Sequence, residues 1–251
     1  KTFLEHPEYF SGNVKKGEIP AAPKFNVANK DLVNLVKEDA LFRIKESARI
    51  GKPLMMVSME PSDGGGFCTS PECLKIGNTS DQVFYLANEV ARYVQKYYPG
   101  MWVGSLAYNE HILPPKLPLE KNVFVMVHNG FNRRKFNTYE LLHQWRNLVR
   151  KTGVYEYLNV YEWDNDLPGK SSASQLAYVR SSIPAFYKNG ATAYLAETNV
   201  GWVSKGLGQY VAARLLWDPQ VNVDSLTNDY YNKCFGAFAP IIRKGYDSGE
   251  H

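Results

Sequence analysis

The stretch Pro53-Leu54-Met55-Met56-Val57-Ser58-Met59-Glu60-Pro61-Ser62-Asp63-Gly64 decides the fold. A short apolar run ends there in acids, hydroxyls and turn formers, the pattern of a buried strand opening into a loop. The same change recurs four times along the chain. Residues 101–107 run into Tyr108-Asn109-Glu110-His111, and 122–127 into His128-Asn129-Gly130. Residues 157–160 lead to Tyr161-Glu162-Trp163-Asp164-Asn165-Asp166, and 192–196 to Glu197-Thr198-Asn199. In parallel α/β architectures the carboxyl ends of the strands open onto one face, and the active site is built on that face.

Helical patterns lie between these runs. Asn29 caps the first, whose stripe is Leu32, Leu35, Val36, Leu41, Ile44 and Ala48. Ser80-Asp81 opens the second, with Val83, Phe84, Leu86, Ala87, Val90, Ala91 and Val94 as its apolar face. Further helices are expected over about 138–152 and 172–188, and a helical tail from about 206 is broken at Asp218-Pro219 and near Gly236. Residues 1–28 read as an irregular loop. Five strands in mostly βα alternation predict a parallel sheet within a single domain spanning 1–251. Two architectures satisfy this order. One is an open doubly wound sheet, although Gly64-Gly65-Gly66 leads to a cysteine-bearing loop instead of a phosphate-cradling helix. The other is a (β/α)8 barrel of which only the last five strands are present. Its unclosed edges would leave apolar surface bare.

Composition narrows the partners. A net charge of +4 is too small to argue for nucleic acid, and Arg133-Arg134-Lys135 reads as a solvated loop. No run approaches the roughly 20 apolar residues of a transmembrane span. Aromatic residues make up 14% of the chain, with 17 Tyr and 5 Trp, which suits a wet, amphipathic binding surface. Trp145, Trp217 and the Tyr97-Tyr98 pair fall on helices or their ends and read as core, as do Val211, Leu215 and Leu216. Of three cysteines, Cys68 and Cys73 are close enough to bridge across a loop, and Cys234 lies in a predicted helix. The Cys68/Cys73 spacing without a nearby histidine is poor for zinc, so no metal and no cofactor is expected.

The run from Val57 to Gly64 with Cys68 and Cys73 carries a family resemblance. His6-Pro7-Glu8-Tyr9-Phe10 precedes it and Leu106-Ala107-Tyr108 follows. Tyr210-Val211-Ala212-Ala213-Arg214-Leu215-Leu216-Trp217-Asp218-Pro219 completes the ordered set. Together they resemble glycoside hydrolase family 163, formerly catalogued as domain of unknown function 4838 and common in gut Bacteroidetes. The resemblance implies a (β/α)8 TIM barrel, of which this chain holds about the last five strands with their helices. It implies endo-β-N-acetylglucosaminidase activity on complex N-glycans. It also implies a secreted, periplasmic or cell-surface location and a glycan or glycoprotein as substrate.

Glycosidic cleavage needs a proton donor for the leaving oxygen and stabilisation of an oxocarbenium-like centre. A 2-acetamido group on the sugar can be its own nucleophile, so one acid/base and one carboxylate that polarises the amide suffice. Glu60 and Asp63 fit, three residues apart on a turn tightened by Pro61 and Gly64; Glu60 is assigned as general acid/base and Asp63 as the amide-polarising partner. In the plainer reading Asp63 caps the glycine turn and Glu60 pairs with a basic residue. Glu162 is the second candidate acid, with Tyr161, Trp163 and Asp164 around a sugar face. Tyr108, Asn109, His128, Asn129, Glu197 and Trp202 are expected to bind substrate, while Glu110 and His111 suit plain surface at least as well. Two competing functions remain: a uronidase-like hydrolase, which needs a cation for the substrate carboxylate, and a carbohydrate-binding barrel whose acids are paired away.

Overall fold

The computed structural model describes residues 2–12, 14–17, 22–129, 136–159, 175–198 and 202–249. The elements are α1 (Thr2–Glu5), α2 (Lys30–Arg49), β1 (Met56–Ser58), α3 (Pro71–Ile76), α4 (Thr79–Tyr97), β2 (Trp102–Ala107) and β3 (Val123–Asn129). They continue with α5 (Thr138–Arg146), β4 (Thr152–Asn159), α6 (Leu176–Lys188), β5 (Ala191–Thr198), α7 (Trp202–Trp217), α8 (Val223–Phe235) and α9 (Ala239–Gly249). The chain divides into two compact units. The first comprises Lys1–His128 with Glu140–Thr152, the second Asn129–Tyr139 with Gly153–His251.

In the first unit β1, β2 and β3 lie side by side in chain order and run parallel. Met56 sits opposite Trp102 and Ser58 opposite Gly104, while Val103 to Ala107 face Val123 to Val127. Strict chain order is what a (β/α) barrel requires and what the switch point of a doubly wound sheet breaks. The Met56 side chain lies over Gly104, in space that a Cβ there would take.

Helix α2 starts where Asn29 predicts, its side chain accepting from the Asp31 and Leu32 amides. Helix α4 starts slightly ahead of Ser80, capped by a reciprocal box between Asn78 and Asp81. Its stripe from Val83 to Val94 is buried as expected. Phe84 tilts against Trp145 at 4.8 Å between ring centroids, and the Trp145 indole N–H donates to the Ile112 carbonyl at 2.9 Å. This anchors α5 to the connection after β2 through a buried ring whose single donor is satisfied.

Among the described strands β1 lies at an edge of the sheet. Met55 is 84% exposed. Leu54 and Met56, with Leu35 and Val36 of α2, line a cavity of about 750 Å3 that reaches Lys24, Glu60 and Phe67.

In the second unit β4 and β5 are sheet neighbours. Leu158, Val179, Ile183, Val211, Leu215 and Leu226 form its core. Several core expectations are corrected. Val211 and Leu215 are buried, but Leu216 is exposed and Trp217 is 89% exposed, because only the first pair shares the inward stripe of α7. Tyr97 is exposed on the last turn of α4, its ring edge against Tyr93. The cysteine loop contains a helix, α3, that periodicity did not reveal, capped by Ser70. Helix α5 ends at Arg146, well short of 152, and β4 already begins at Thr152. Residues 1–28 contain α1, a 3-10 turn over Pro7–Tyr9 and a bridge between Phe10 and Phe25. Cys68 and Cys73 form a disulfide, and Cys234 on α8 is free and exposed. No described helix is long and apolar enough to cross a membrane.

Candidate active site

The site is assembled in the first unit from two consecutive strand ends. Beyond β1 the chain turns through Pro61 and the glycines, and Glu60 falls beside the end of β2. One of its carboxylate oxygens, Oε2, accepts from the Leu106 amide at 2.7 Å and from the Ser105 hydroxyl at 3.0 Å. The other, Oε1, lies 3.2 Å from His111 Nε2. The Glu60 side chain keeps 22% of its exposure, so it is seated by β2 yet reachable from solvent.

His111 arrives there through a backbone turn that few residues tolerate. Asn109 has φ +46°, the left-handed region, and no other described non-glycine residue does. Asparagine accepts this conformation at lower cost than most side chains. The 3-10 turn over Asn109–His111 then brings the imidazole under Glu60, between the rings of Phe67 and Tyr108. His111 is buried, and its Nδ1 has no hydrogen-bond partner among the described residues. The surface reading therefore holds for Glu110, which is exposed, and fails for His111. Tyr108 is half-buried and meets the buried His128 ring edge-on at 4.8 Å.

Asp63 is exposed on the same turn as Glu60. Its backbone is gripped from an unforeseen direction. Lys24, 3% exposed, donates to the Ser62 and Asp63 carbonyls and to the Ser62 hydroxyl. Burial pulls the Lys24 ammonium below the ordinary lysine range, while Asp63, Glu110 and Glu60 pull it back up. Lysine has three donor hydrogens and these acceptors number three, so the charge is spent on the turn.

The second unit holds carboxylates of its own. Glu156 on β4 is fully buried and accepts from Asn129 Nδ2 at 2.6 Å and from the Tyr178 hydroxyl. Asn129, the last residue of β3, also accepts from Thr138 at 2.6 Å through Oδ1, so its amide is built into a buried network. Glu197, half-buried near the end of β5, accepts from the Tyr155 hydroxyl. Tyr161, Glu162, Trp163, Asp164 and Asn199 lie outside the described residues, as does the Arg133-Arg134-Lys135 cluster; Trp202 opens α7, and its side chain is likewise outside the description.

Lys24, Ser105, Glu156 and Tyr178 escaped the sequence reading. Ser105 and Glu156 sit inside strands, where alternation gives no hint of their partners. Lys24 lies in a Pro- and Lys-punctuated segment with no periodicity at all. Among the described residues no group of His, Cys, Asp and Glu has the arrangement to hold a metal ion.

Residues 1–247 match the family described as Domain of unknown function (DUF4838). The chain belongs to this family. No curated protein matches it. Among solved structures, this DUF4838 chain is similar to a Thermobaculum terrenum O-GlcNAc hydrolase, determined as a point mutant, with a TM-score of 0.60 and 12% identity. The likeness covers 90% of this chain and 49% of the hydrolase, so the DUF4838 chain spans about half the length of that neighbour. At this identity the likeness carries the fold: an α/β architecture with strands in barrel order.

Proposed function

We propose that this DUF4838 chain is the catalytic part of a glycoside hydrolase that cleaves β-linked N-acetylglucosamine, endo-acting on complex N-glycans with retention and substrate assistance. The observation that carries the reading is the Glu60 seat. Two donors fix Oε2 in place, and Oε1 is left as the oxygen that takes and gives a proton, with His111 against it. Asp63, exposed three residues on, is assigned to polarise the acetamido group, and Tyr108 and Asn109 to line the sugar. Glu162 remains the alternative acid. The resemblance to glycoside hydrolase family 163 and the hydrolase-like fold support the sugar class.

A second reading draws on the same seat. Three partners on one carboxylate are also how a carbohydrate-binding barrel would neutralise an ancestral acid. A uronidase is the weaker reading, since Lys24, a cation beside Glu60 and Asp63, already faces three protein acceptors.

Mass spectrometry of a complex-type N-glycoprotein treated with the full-length protein or its Glu60→Gln variant separates these. Released glycans one N-acetylglucosamine short, lost in the variant, support the proposal. Release that persists in Glu60→Gln moves the role to Glu162. No release, with retained glycan affinity, supports the binding reading.

A further inference from the structure

We infer that Lys24 is a positioning residue for the Glu60–Asp63 turn: a buried ammonium on the N-terminal strap that holds the acid-bearing loop in its working shape. The inference rests on the glycosidase reading for its kinetic consequence, and on geometry alone for the latch itself.

The strap is a built device. The Phe10–Phe25 bridge pairs residues 9–11 with residues 24–26, Ser11 N–H donating to the Lys24 carbonyl at 2.8 Å and Asn26 N–H to the Tyr9 carbonyl at 2.9 Å. From these paired segments, bonds reach across to the glycine turn. The Ser62 hydroxyl donates to the Pro23 carbonyl at 2.6 Å, and the Ser11 hydroxyl donates to the Gly66 carbonyl at 2.5 Å. Lys24 is the central one, 2.8 Å from the Asp63 carbonyl and 5.1 Å from the centroid of Phe67. A turn containing Gly64-Gly65-Gly66 has little stiffness of its own, with Gly64 and Gly66 at φ +80° and +91°. Without external bonds its carbonyls would sample many orientations.

Lysine suits this task. A buried charge is tolerated only when its donors are satisfied, and three acceptors at the end of a four-carbon stem achieve that. The carbonyls it gathers belong to Ser62 and Asp63, so it fixes the backbone from which the amide-polarising carboxylate projects. Substrate need never touch it. Charges facing the ammonium are Asp63, Glu110 and Glu60, all acidic. Methionine in its place would keep most of the stem against Phe67 and remove the donors; arginine would keep charge and donors in a different shape.

The test uses the full-length protein as wild type, Lys24→Met and Lys24→Arg, each examined by amide hydrogen exchange and by steady-state hydrolysis of an aryl N-acetylglucosaminide. The expected result is faster exchange in Lys24→Met at the Leu106 and Ser11 amides, which donate to the Glu60 carboxylate and the Lys24 carbonyl, with the helices of the first unit unchanged. Its kcat should fall about 10²-fold with KM little changed, as for a misplaced catalytic group. Lys24→Arg should recover part of both. Unchanged exchange at Leu106 and Ser11 overturns the latch, whatever happens to turnover. Exchange that rises throughout the first unit, with kcat lost only in proportion to unfolded protein, also overturns it and makes Lys24 a general stability element. An inactive wild type removes the glycosidase reading instead, and the exchange data still decide the latch.

Discussion

Glu60 and Glu156 are both carboxylates held by neighbouring donors, yet they serve different ends. Glu60 sits past the end of β1, keeps part of its surface and borrows a backbone amide, a hydroxyl and an imidazole from the next strand and its loop. Glu156 sits in the middle of β4, has no exposure and is met by an amide and a phenol. Position along the strand separates them. A carboxylate inside a strand is committed to packing, whereas one at the carboxyl end faces the open side on which substrates arrive. Full burial with satisfied partners argues for structure; partial exposure with an imidazole against the second oxygen argues for chemistry.

Exchanging the two residues for neutral ones should break this comparison most visibly in turnover. Glu60→Gln is expected to lower kcat on an N-acetylglucosaminide by about 10²–10⁴-fold while leaving the melting temperature nearly unchanged. Comparable activity in that variant would move the acid elsewhere. Next in size is Glu156→Leu, which removes the buried carboxylate that accepts from both Asn129 Nδ2 and the Tyr178 hydroxyl. It should cost about 1–3 kcal/mol by denaturant unfolding, with turnover per folded molecule retained. A stable but inactive Glu156→Leu would erase the distinction drawn here.

The loop beside the Glu60 turn offers a gentler test. Replacing Cys68 and Cys73 by serine opens a short covalent loop and should reduce stability by roughly 2 kcal/mol. Reducing agent should do the same to the wild type, and no change in unfolding midpoint would show that α3 holds without its bridge. The smallest effect belongs to Tyr230 in the second unit. Burial pushes its phenol up to about 12, from an ordinary value near 10. Its folded value is raised, so the stability it contributes is complete below pH 10 and is lost as pH rises toward 12. A phenolate absorbance titration should show this late step in folded protein only.

Much of the fold was legible because strands and helices here obey their periods. Asn29, the stripe from Val83 to Val94 and the run before Glu60 each mark an element that exists. The βα alternation led to a parallel sheet, and the family resemblance to strands in barrel order, as β1-β2-β3 are. Trp217 misled because an aromatic ring at a helix end carries no information about which face turns inward. In the site, Glu60 was readable from its place at a strand end. Its partners were not: His111 depends on a left-handed turn at Asn109, and Lys24 on a bridge between Phe10 and Phe25 whose flanking residues show no pattern. Local spacing reveals a residue's element. It cannot reveal which distant loop closes over it.

The most direct test of Glu60 as the proton donor is the leaving-group dependence of its loss. Wild type and Glu60→Gln would be compared on N-acetylglucosaminides with an activated aryl leaving group and with a simple alcohol. An acid that protonates the departing oxygen is needed little by the first and greatly by the second. The account predicts a large defect on the alcohol glycoside that shrinks sharply on the activated one. An equal loss on both would contradict it and leave Glu60 as a residue that shapes the site without giving up a proton.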